Sequence, residues 1–168
     1  MKLRYPLILL IALLPRLLLA EGFSTPDALL AEKAALESGP CDLDCNLKIA
    51  DMYSAAYLEA LRSAVMPGLR NEEYGQENTM LLFGEKIPAS ELDAMSAQEF
   101  LARQLLYRGS TVPADYRFSR LEIISEKKIS DSETRLLVLH SGLAGNPKLK
   151  EEVYMTFVKE GEGWKIKH

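Results

Sequence analysis

The sequence has little of what most chemistry is built from. Its 168 residues include two cysteines, two histidines and one tryptophan. A zinc site takes four protein ligands, or three and an open position. His140 and His168 are the only histidines, and both stand far along the chain from the cysteines, so no metal site and no cofactor is expected. No C-x-x-C pair is present, which removes the thioredoxin-like redox motif. Internal repeats and low-complexity tracts are absent, which excludes solenoids and arrays. The apolar stretch near the start is shorter than the ~20 residues of a spanning helix, and Arg16 interrupts it. No set of residues has the spacing of a known reaction.

What is present begins with MKLRYPLILLIALLPRLLLAEG. Lys2 and Arg4 form a positive start, Leu7 to Leu14 an apolar run, and Leu18-Leu19-Ala20 a cleavage site, the pattern of a secretory signal peptide over residues 1–20. A lipoprotein would carry cysteine after the small residue, where Glu21 stands. The expected mature chain is a soluble periplasmic or secreted protein without stable membrane insertion. Loss of Lys2, Arg4 and Arg16 turns 20 basic residues into 17 against 24 acidic ones, a net charge of −7. Such a surface disfavours nucleic acid and anionic lipid. The 148 residues that remain suit one core. The expected division is a signal peptide over 1–20, a helical arm over 21–40 and a single α+β domain over 41–168.

Thr25-Pro26-Asp27 places a capping hydroxyl ahead of proline and an acidic first turn, so a helix is expected over 26–37. Alanine and leucine supply most of its apolar residues, as in a loosely attached arm. A second helix is expected over 44–66, where Ala50, Tyr53, Tyr57, Leu61 and Ala64 form one stripe and Asp44, Lys48, Asp51, Glu59 and Arg62 the other side. Met66-Pro67-Gly68 is its expected stop. Thr79 to Phe83 is read as a short strand, with a buried helical turn as the alternative. Ser96-Ala97-Gln98-Glu99 fits a capping box and opens a further helix that runs to Gly109.

After Pro113 the texture alternates. Residues 118–129, 134–141, 150–159 and 164–168 have strand length, and short polar connections favour antiparallel pairing. Val153, Met155 and Phe157 alternate with Tyr154, Thr156 and Val158; Trp164 and Ile166 alternate with Lys165 and Lys167. One face of this sheet is built to be buried, and the amphipathic helix 44–66 is its expected cover.

Helices followed by a curved antiparallel sheet that closes on VYMTFVKEGEGWKIKH resemble the nuclear transport factor 2-like superfamily (cystatin-like, SnoaL-like). LLFGEK also looks like that family's middle region, and the likeness runs from Asp44 to His168. It implies a cone whose helices and sheet enclose a pocket, used by different members for isomerisation, dehydration, small-molecule binding or protein contact. The family's enzymes commonly use an Asp/His or Tyr/Asp pair, and no such pair can be placed on this sequence. Fold alone does not carry function.

Both cysteines lie in GPCDLDCN, residues 39–46. A disulfide between Cys41 and Cys45 is the better reading, with free thiols or a metal as alternatives. Cys41 follows Pro40 and precedes the helix, which leaves it free to close, while Asp42 or Asp44 becomes the cap. His140 shares a strand face with Leu136 and Val138, as a pocket base or as a residue at the sheet rim; His168 is expected in solvent. Tyr53, Tyr57, Tyr154 and Trp164 are pocket candidates, with core packing as the alternative for each. The expected protein is non-catalytic and binds a small apolar ligand or a protein partner, with a homodimer through the sheet one form of the latter. One alternative is a small isomerase or hydrolase with His140 as general base. Another is a component of an envelope or secretion assembly that docks through helix 26–37.

Overall fold

A computed structural model of the chain describes residues 22–113 and 116–168. Six helices precede a four-stranded antiparallel sheet, an α+β architecture. The helices are α1 (Pro26–Glu37), α2 (Leu43–Asp51), α3 (Ala55–Leu69), α4 (Gly75–Phe83), α5 (Ala89–Ala94) and α6 (Ala97–Thr111). The strands are β1 (Arg120–Ser130), β2 (Glu133–Ser141), β3 (Glu151–Glu160) and β4 (Gly163–Ile166), joined as a meander in that order. The signal-peptide reading of 1–20 lies outside the described residues. Among those described, no helix is long and apolar enough to cross a membrane.

α1 begins as its sequence dictates. Thr25 Oγ1 accepts the Ala28 amide at 3.2 Å, and Pro26 fills the first helical position, where a missing N–H costs nothing. It is no loose arm, however. Leu29 and Leu30 are fully buried among Leu136, Val138, Phe157, Trp164 and Ile166, so α1 covers the inward face of the sheet. The core therefore includes residues ahead of the cysteines.

The helix expected over 44–66 is two helices. Between them Met52-Tyr53-Ser54 leaves the helical path and pairs with the free edge of β4: the Ile166 amide donates to the Met52 carbonyl and the Ser54 amide to the Ile166 carbonyl, both at 2.7 Å. Ser54 then caps α3, its hydroxyl accepting the Tyr57 amide at 3.2 Å. The sheet edge thus takes three residues out of a periodic run. With them goes the single stripe, since α3 buries Leu58, Met66 and Leu69 while Ala64 is exposed. Nor does α3 cover the sheet; α2, α3 and α4 pack on α6 instead.

Two further expectations fail in this helical half. Pro67 lies inside α3, whose last turn persists because Met66 and Leu69 bury against Phe83 and Phe100. Thr79 to Phe83 is helical, not a strand. Gly75, Thr79 and Phe83 recur every four residues as the buried face of α4, and Gly84 ends it in the left-handed region at φ 76°. A Cβ at Gly84 would run into the Tyr107 ring, so the close approach and the turn both require glycine. α5 has no counterpart among the elements expected from the sequence. Arg103 on α6 ties it down, bonding Glu91 at 3.0 Å, Glu99 at 2.9 Å and Glu85 at 3.5 Å.

The strands lie where alternation places them, to within two residues. Leu136, Val138 and Phe157 are fully buried on one face. Both edges are blunted. Phe23 and Met52–Ser54 pair with β4, while the outer strand β1 carries Glu126, Lys127 and Lys128 and two register irregularities.

Candidate functional site

The two cysteines form a disulfide with a Cα–Cα distance of 5.2 Å. Asp42 is the cap, its Oδ1 accepting the Cys45 amide at 2.9 Å, and buried Asn46 donates to the carbonyls of Cys41 and Asp42. Cys45 Sγ also lies 3.9 Å from the Leu36 carbonyl oxygen, against the end of α1. The stretch is a staple at the junction of α1 and α2. Among the described residues no cluster of three or more His, Cys, Asp or Glu could hold a metal ion.

The chemistry gathers elsewhere, in a cleft of about 230 Å³ between α1, the Met52–Ser54 link and the sheet. Leu121, Val153, Met155 and Ile166 give it an apolar floor, and Leu30 and Ala34 an apolar wall. Polar groups stand around them: Lys33 and Glu37 from α1, Tyr53 and Tyr57, His140 from β2, and His168. Both histidines of the chain therefore line one cleft.

Each of these groups has an identifiable support. Lys33 and Glu37, one helical turn apart, are joined at 2.5 Å. The rings of Tyr53 and Tyr57 stack with centroids 5.4 Å apart, because the break between α2 and α3 brings them round on either side of the Ser54 cap. Burial pushes the Tyr53 phenol well above the usual tyrosine range; Glu37 and Tyr57 add to this and Arg108 opposes it, so Tyr53 stays protonated and a donor. His140 sits opposite Leu121 on one side and Glu151 on the other, and its ring tilts against Phe118 at 5.7 Å. Among the described residues, no salt bridge or side-chain hydrogen bond reaches its imidazole. His168 is exposed, as expected for the last residue, yet its Nε2 lies 3.2 Å from the Thr156 hydroxyl, which holds the ring at the cleft edge.

Among the expected pocket residues, Tyr53, Tyr57 and His140 come together. Tyr154 reaches only the rim: strand alternation sends its ring to the face opposite Val153 and Met155, and it is 65% exposed. Trp164 does not line the cleft. It is core, 9% exposed near Phe23, with Lys159 Nζ 5.7 Å from its ring centre, because β4 carries it to the covered start of the edge. The interior of the sheet is filled by Phe157, Trp164 and Ile166, so the cleft is a recess at one end and no hollow cone. Sequence reasoning missed Lys33, Glu37 and His168. The i, i+4 spacing marks Lys33 and Glu37 as a pair, but nothing local says which surface α1 presents them to.

Compared with protein-family models, curated proteins and solved structures, the chain finds no match.

Proposed function

We propose that this is an exported protein that binds a small, largely apolar ligand in the cleft between α1 and the sheet, without transforming it. The observation that carries the reading is the pairing of a Leu, Val, Met and Ile floor with stacked Tyr53 and Tyr57 at its side. Recesses lined by apolar and aromatic side chains, with a few convergent polar groups, are where small molecules bind. The volume, about 230 Å³, suits a ligand below drug size. A general base at His140 has less support, since such a base needs an orienting partner and none is bonded to its ring among the described residues. Export agrees with the disulfide, which persists in oxidising compartments. The order of helices before a four-stranded meander is in keeping with the likeness to the nuclear transport factor 2-like superfamily, while the filled interior departs from the enclosed cone that the likeness implies.

One experiment tests both parts. The full chain, expressed in a bacterial host and recovered from the periplasm, is expected to begin at Glu21 by intact mass. It is expected to bind the neutral probe 2-naphthylmethanol saturably, and Ala34→Trp, which fills the recess from the α1 side, to abolish that binding. Retention of residues 1–20 overturns the export; absence of binding, or equal binding by the Ala34→Trp protein, overturns the site.

A second reading rests on the other face of the sheet. There Tyr154, 65% exposed, stands among half-buried Leu137, Leu139 and Val158, an arrangement suited to a protein partner or a second copy of the chain.

A further inference from the structure

The cleft has more to hold than an apolar body. Of its seven polar side chains, Tyr154 at the rim included, only Glu37 is an acid, and Lys33 already occupies it. The rest are groups that donate: the phenols of Tyr53 and Tyr57, the imidazoles of His140 and His168, and the remaining hydrogens of the Lys33 ammonium. The Thr156 hydroxyl fixes one ring nitrogen of His168, and the other has no hydrogen bond among the described residues. The cleft thus offers a ligand more donors than acidic acceptors.

Building on the proposed ligand-binding reading, we infer that the cleft is selective for a flat apolar molecule bearing one carboxylate, held by Lys33, His140 and His168 with the tyrosine pair along its side. The groups that face these histidines are Lys33 and Glu37 from α1, Tyr53 from the link, Tyr57 from α3, and Glu151 across the strand from His140. Arg108 on α6 acts on Tyr53 from behind. The chain as a whole is acidic, with a net charge of −4. Salt screens that field over about 8 Å at physiological ionic strength, whereas donors in contact with the ligand act at hydrogen-bond distance. Nothing is transferred; the site only binds.

The test compares 2-naphthoate with 2-naphthylmethanol, which share a ring system and differ in the charged group, by fluorescence titration of the mature protein. The carboxylate is expected to bind about tenfold tighter, one charge-assisted hydrogen bond's worth. His140→Gln, His168→Gln and Lys33→Gln are each expected to lower that ratio. Equal affinity for the two probes, or a preference that ignores all three substitutions, overturns the carboxylate selectivity and leaves the ligand site standing. Failure of both probes to bind overturns the ligand site itself. The two titrations of the unaltered protein decide the matter even where a variant does not fold.

Discussion

The molecule has two halves that differ in how their structure is specified. In one, α1 and the four strands share a core of Leu29, Leu30, Leu136, Val138, Phe157, Trp164 and Ile166. In the other, α3 to α6 close around Phe83, Ile87, Leu92 and Phe100, and α2 and α3 join α6 through Ala50, Leu58, Leu101 and Ala102. The sheet half is locally encoded, strand by strand. The helical half takes its shape from a contact made elsewhere, where Met52–Ser54 leaves the helix to pair with β4. That link also joins the halves: Lys165 Nζ bonds Asp51 and the Ala55 amide donates to Glu160, so β4 and its turn hold the start of α3.

The largest expected effect tests whether these halves are one cooperative unit. Phe100 is fully buried in the helical half, edge-on to Phe83 with centroids 5.1 Å apart. Phe100→Ala is expected to cost about 3–5 kcal/mol, the usual range for truncating a core phenylalanine. Phe157→Ala, its counterpart under α1, is expected to cost about the same. Trp164, the only tryptophan, reports on the sheet half, while far-UV dichroism is dominated by the helices. In urea the two signals are expected to move together for both variants. A midpoint that shifts in dichroism while tryptophan fluorescence stays put would break the single unit into two.

An intermediate effect belongs to the disulfide, which closes a loop of only a few residues at the entrance to the helical half. Loop entropy for so short a closure gives about 2 kcal/mol, the low end for a disulfide. Replacing both cysteines by alanine is expected to lower stability by about that amount, read from the urea midpoint at constant slope. A loss well beyond it would mean that the staple also holds the end of α1, where Cys45 Sγ meets the Leu36 carbonyl.

The same division explains what could be read from the residues alone. Alternation in β3 and β4 is a local property, so the order of side chains along each strand is enough to assign Phe157 and Ile166 to the buried face. Tyr53 and Tyr57 share one stripe of a continuous helix, but no such helix brings them together. They lie together because Ser54 caps a new helix between them, a break that needs β4, over a hundred residues later. Thr79 and Phe83 look alike on a strand or a helix, and only packing beside Phe100 decides. In the cleft, His140 could be placed on a strand face. Its meeting with Lys33 and His168 comes from where α1 and the chain end settle on the sheet.

The smallest expected effect lies at the far tip of the sheet half, in the turn between β1 and β2. The Lys128 ammonium bonds Asp131 at 2.6 Å and, with a smaller contribution from Lys159, holds its carboxyl below the usual aspartate range. A carboxyl depressed in the folded state stabilises above its unfolded pKa, and that stabilisation fades as pH falls through the folded value. The direction is therefore a slight loss on the acid side of the ordinary aspartate range. Both side chains stand in solvent, so the pair contributes nothing that a denaturation curve would resolve. The place to look is the Asp131 carboxyl resonance itself, which is expected to titrate below ordinary aspartates and to return toward them in Lys128→Ala. An unchanged midpoint in that variant would shift the cause to Lys159, across the turn on β3. A change in the urea midpoint would show that this hairpin tip, unlike the link at Met52–Ser54, matters to the fold more than its exposure allows.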